Sequence, residues 1–164
     1  MTASARGHAT PPLLVSVLND LVQVCHDGMK GYARAAEDTS GPELKELFLR
    51  LALERASYGR QLREEIRCAG AEISATDGRP IATAHRGWMD ARSMVAGRGR
   101  DIALLEECER GEGAALHQYE RTFHPALWEA SASMRTLIQA QYSGVLAARE
   151  TLRRRIFENH RPPP

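Results

Sequence analysis

The stretch from Asp101 to Phe123, DIALLEECERGEGAALHQYERTF, decides how the rest of the chain is read. At about 100° per residue, Leu105, Cys108, Glu112, Ala115, Leu116, Tyr119 and Phe123 share one side, and Glu107, Arg110, His117 and Arg121 turn towards the other. The pattern is that of an amphipathic helix with a carboxylate, Glu112, in the middle of its apolar face. A carboxylate aimed into a helical core needs either a metal ion or a buried cation. Which of the two it has is the main functional question the sequence poses.

Outward from this stretch the same periodicity recurs. A helix is predicted from Leu13 to Asp38, with Leu14, Val17, Leu18, Leu21, Cys25, Gly28, Tyr32 and Ala36 on one face. Gly28 and Gly31 weaken that helix, which calls for close approach of a neighbour. His26 falls on its solvent side. Ser40-Gly-Pro-Glu43 reads as a capping box opening a second helix, Pro42 to Ala69, which Gly70 terminates. Leu44, Leu47, Phe48, Leu51, Tyr58, Leu62 and Ile66 form its stripe, with Arg55 at the centre and Glu54 to one side.

Residues 70–83 carry Gly70, Asp77-Gly78 and Pro80, an irregular connection, and a short helix is predicted over Ala84 to Ala96. His85 and Trp88 on that short helix are either the rim of a ligand pocket or a tryptophan docking it on the bundle. The last helix is predicted between Pro125 and Glu158, with Met134, Leu137, Ile138, Gln141, Val145, Ala148, Leu152 and Ile156 inward. Arg149, Arg153, Arg154 and Arg155 crowd its final turns, where cations suit the negative end of the helix dipole.

Four long amphipathic segments with one long joint give an all-α, ferritin-like four-helix bundle. Its single crossover, between helices 2 and 3, carries the short extra helix. Residues 1–12 read as a flexible arm, 13–160 as one domain and 161–164 as a flexible tail. A chain of 164 residues can bury a core of its own. With 22 basic and 21 acidic side chains, no global field points to nucleic acid or a membrane surface. The apolar runs are too short to cross a bilayer, and the start lacks a signal-peptide core. Cys25, Cys68 and Cys108 form no CxxC, and read as thiols in a reducing cytoplasm.

A di-iron bundle needs inward Glu residues on two helices and an inward Glu-x-x-His on each of the others. Here Ser57, Ala115 and Gly144 stand where histidines would be needed. No metal and no catalytic group is therefore expected; were iron or manganese bound, Glu54, Glu109 and Glu112 are the candidate ligands. The inward polar set is instead Arg55, Glu112 and Gln141, with Tyr32, Tyr58 and Tyr119 near the same layers. Arg55 and Glu112 are expected to pair, with Gln141 or a tyrosine hydroxyl completing the network.

Leu18-Asn19-Asp20, Asp27-Gly28 with Gly31-Tyr32, Glu54-Arg55-Ala56, His85-Arg86-Gly87-Trp88-Met89-Asp90 and Glu109-Arg110-Gly111-Glu112 occur in this order. The set resembles a bacterial family of ferritin-like four-helix-bundle proteins of unknown function, over residues 13 to 156. The resemblance implies the ferritin-like fold and a cytosolic bacterial protein, and brings no catalytic residues. Members often carry a histidine late in the fourth helix; this chain has Ala148 or a near neighbour there.

Three functions follow as expectations. The first is a non-enzymatic module acting through association, as a homo-oligomer (a dimer) or with a protein partner. Leu146 and Phe157 on the outer side of the last helix are its candidate contacts, and stress physiology is its setting by analogy of fold. The second is an iron- or manganese-binding oxidoreductase or store. The third is a small-ligand binder around His85 and Trp88.

Overall fold

A computed structural model describes residues 12–73, 97–123 and 132–160. They form four helices: α1 Pro12–Asp38, α2 Pro42–Cys68, α3 Arg98–Glu120 and α4 Ala132–His160. The predicted arm up to residue 11, the tail and the short helix with His85 and Trp88 lie outside the described residues, and α1 begins at Pro12, the last residue assigned to the arm. No described helix is long and apolar enough to cross a membrane.

Helix ends follow local chemistry. Gly70 takes a positive φ of 68° after α2. Its amide donates to Arg67 O at 3.0 Å and the Ala71 amide to Ile66 O at 3.1 Å, which satisfies the last carbonyls. The expected capping box at Ser40 does not form. Gly41 is the N-cap of α2 and no side chain caps it. Ser40 turns to Asp101 instead: its amide donates to Oδ1 and its hydroxyl to Oδ2, both at 3.3 Å. The Thr39 hydroxyl donates to the same Oδ1 at 2.6 Å. A buried carboxylate needs donors more than a helix start open to water does.

The long helix begins at Arg98, three residues before the predicted Asp101, because Gly97 with φ 83° makes the break alone. It ends at Glu120, and the Thr122 hydroxyl closes the turn on Tyr119 O at 2.5 Å. Phe123 is therefore exposed rather than on the inner stripe, and meets Tyr142 edge-on with ring centroids 5.1 Å apart.

Side-chain contacts fix the helix directions. Asp20 meets Arg121, Cys25 meets Tyr119, Tyr32 meets Glu112 and Thr39 meets Asp101, so α1 and α3 run antiparallel. Likewise Glu65 faces Ser133, the Tyr58 carbonyl faces Gln141 and Glu43 faces Arg155, so α2 and α4 are antiparallel. Glu120 with Tyr142 and Glu109 with Arg149 oppose α3 and α4. The end of α2 lies near the start of α1, where Asn19 donates to Glu72 O at 3.4 Å. The start of α3 lies at the opposite end, beside Thr39 and Ser40. The α2–α3 connection thus joins opposite ends of an all-α four-helix bundle, as a single crossover must.

The core divides into two apolar clusters along the bundle. One gathers Leu14, Leu18, Leu21, Leu62, Ile66, Leu116, Tyr119, Ile138 and Val145. The other gathers Tyr32, Ala36, Leu47, Phe48, Leu51, Leu105, Cys108, Ala148 and Leu152. On α2 and α3 the residues between the clusters include Arg55 and Glu112.

Candidate functional site

The seam between the two clusters holds the most deeply buried charges described. Arg55 is 2 % exposed and Glu112 3 %. On α1, Gly28 faces the stem of Arg55: a β-carbon at position 28 would stand 3.4 Å from its Cγ and Cδ, at contact distance. A β-carbon at Gly31, grouped with Gly28 in the sequence, would meet nothing within 4 Å, so no neighbouring helix requires glycine there. The guanidinium grips Glu112 with two bonds, Nη2 to Oε2 at 2.7 Å and Nε to Oε1 at 3.2 Å. Tyr32 on α1 donates its hydroxyl to Oε1 at 2.6 Å. Three helices therefore converge on one carboxylate.

The remaining guanidinium nitrogen, Nη1, lies out of water without a hydrogen-bond partner, and so does Oε1 of Glu54. The two atoms are 3.6 Å apart. The Tyr58 ring lies beside the guanidinium, 5.2 Å from Cζ to the centroid.

Burial sets the protonation states. It works against the Arg55 charge, yet Glu112 outweighs it and holds the guanidinium above its ordinary value. Burial raises Glu112, while Arg55 and the Tyr32 hydroxyl pull it back down. Tyr32 is raised well above its usual range by burial and by Glu112 beside it, so it stays a donor. Burial, with Glu54 nearby, pushes Tyr58 up to about 12.

Gln141 and Tyr119 form a second set rather than completing the first. The Tyr119 hydroxyl donates to Gln141 Oε1 at 2.8 Å. Gln141 Nε2 donates to Gln61 Oε1 at 3.0 Å and to the Tyr58 carbonyl at 3.3 Å. Cys25 Sγ touches the Tyr119 hydroxyl at 3.5 Å, and burial pushes this thiol up to about 11. Cys25 and Cys108 are buried free thiols and Cys68 is exposed. A thiol held protonated is a poor nucleophile.

The fallback metal ligands are not brought together. Arg149 and Arg153 of α4 both donate Nε to Glu109 Oε1, at 2.7 and 2.8 Å. Burial works to raise Glu109, but these two cations hold it below the ordinary carboxylate range. Glu112 is taken by Arg55 and Tyr32, and Glu54 faces Arg55. Glu54 and Glu112 share Arg55, while Glu109 has Arg149 and Arg153 to itself. Among the described residues no three His, Cys, Asp or Glu side chains form a cluster that could hold a metal ion.

Two further placements differ from the helical wheel. Glu107, assigned to the outer side, is buried and paired with Arg110 one turn on. His26, assigned to solvent, is half-buried; its Nδ1 is out of water without a hydrogen-bond partner and 3.9 Å from Asp27. A wheel knows only one helix, and neighbouring helices cover the flanks of its stripe. Sequence reasoning also missed Asp101, which ties α3 to the α1–α2 joint. Its one visible signal was an acidic residue in the first turn of a helix.

Among curated proteins none matches the chain. Residues 14–124, well over half of the sequence, match a domain of unknown function, DUF2383. The chain belongs to the DUF2383 family.

Proposed function

We propose that this protein is a non-enzymatic helical module of ferritin-like architecture that works by association, first of all with itself. The single crossover with antiparallel neighbours is the arrangement of ferritin-like bundles, which supports that class. The observation that carries the function is the placement of large apolar side chains. The inner faces of all four helices are filled, yet Leu53 is 73 % and Phe157 72 % exposed, with Leu13, Leu49, Phe123 and Leu146 also open. Meanwhile the interior charges answer one another, which supports a role for them in fixing helix register rather than in chemistry.

Sedimentation equilibrium of the full chain tests this reading. A concentration-dependent dimer or larger oligomer is expected, and a monomer at every accessible concentration overturns it.

A further inference from the structure

Among the exposed large apolar residues, Leu49 and Leu53 of α2 are the only described pair one helical turn apart. They point away from the core stripe of Leu44, Leu51, Arg55 and Leu62. Leu146 and Phe157 on α4, by contrast, are three turns apart, with Glu150 and Arg153 between. The same outer stripe of α2 carries Glu46 before the leucines and Arg60 after them, both exposed. An acid at one end, a base at the other and leucines between make the stripe complementary to its own reversed copy.

We propose that α2 pairs antiparallel with α2 of a second copy of this chain across a two-fold axis, Leu49 of each copy against Leu53 of the other. This rests on the self-association reading above and names its surface. In that register Ala56 of one copy lies opposite Glu46 of the other, and Arg60 stands one turn beyond, within reach of the glutamate. The contact forms twice, as a two-fold axis demands. A parallel pairing would set Glu46 against Glu46 and Arg60 against Arg60, so charge selects the antiparallel form. The leucines supply the apolar burial and the rim charges supply orientation.

The experiment is sedimentation equilibrium on the full chain and on surface variants whose helicity is checked by circular dichroism. Leu53→Asp and Leu49→Asp should each weaken the dimer by about tenfold or more, because a carboxylate would be desolvated at the centre of the contact. Glu46→Arg and Arg60→Glu should each weaken it alone, by placing like charges together twice. Mixing those two variants should restore the dimer, as a heterodimer in which every pair is again opposite in sign. Dissociation by Leu53→Asp without rescue on mixing overturns the antiparallel register. A dimer untouched by Leu49→Asp and Leu53→Asp but broken by Phe157→Asp overturns this surface and leaves self-association standing. A monomeric parent overturns both.

Discussion

The Tyr58 hydroxyl occupies the space in which residue 144 would carry a β-carbon, so the Tyr58 side chain of α2 lies directly against the α4 backbone where that residue is glycine. Glycine inside a helix costs about 1 kcal/mol relative to alanine, and here the phenol ring takes the place of the missing methyl. The same ring flanks Arg55, so the glycine on α4 helps position the buried cation on α2.

Gly144→Ala should therefore destabilise the protein by about 1–3 kcal/mol, despite alanine's better helix propensity, through overpacking against Tyr58. In a Tyr58→Ala background the same change should be neutral or stabilising. Urea denaturation of the four proteins measures the cycle, and equal effects in both backgrounds would remove the steric explanation.

Arg55 and Glu112 form a pair in which each strands the other when lost. Arg55→Met and Glu112→Leu should each cost about 3–5 kcal/mol, and the double variant much less than the sum, because it leaves no uncompensated charge. Chemical denaturation reads all four corners. Additive singles would mean that the two side chains do not depend on each other.

Glu109 gives a pH test with a definite sign. Its folded value lies below its unfolded value through Arg149 and Arg153, so its contribution is present above the unfolded value of 4.5 and is lost as pH falls through the folded value. Both arginines are partly open to water, so the effect is modest. Glu109→Gln should lower the melting temperature at neutral pH and flatten its fall on acidification. A parallel, merely shifted pH profile would contradict the assignment.

The helices were legible because a period of 3.6 residues is written into each of them, and the inward direction of Arg55 and Glu112 follows from that period alone. What pairs with what was less legible. Tyr32 and Gln141 lie on equally apolar stripes, and only the relative heights of three helices decide which one reaches Glu112. Ser40 illustrates the same limit. Its local pattern fits a cap, but a residue 61 positions away takes its hydroxyl. Glu107 and His26 went astray because a neighbouring helix can cover what a single wheel leaves to solvent.

The position of Arg55 and Glu112 on different helix hairpins carries a consequence for assembly of the fold. α1 packs most extensively on α2, and α3 on α4, so the molecule is built from two hairpins. The first hairpin brings the Arg55 guanidinium to the seam and the second brings the Glu112 carboxylate. Docking a hairpin onto its own kind, from another chain, would confront two arginines or two glutamates in a dry interior. The seam thus acts as a polarity code that lets the halves of the chain find each other and disfavours exchange of like halves between molecules.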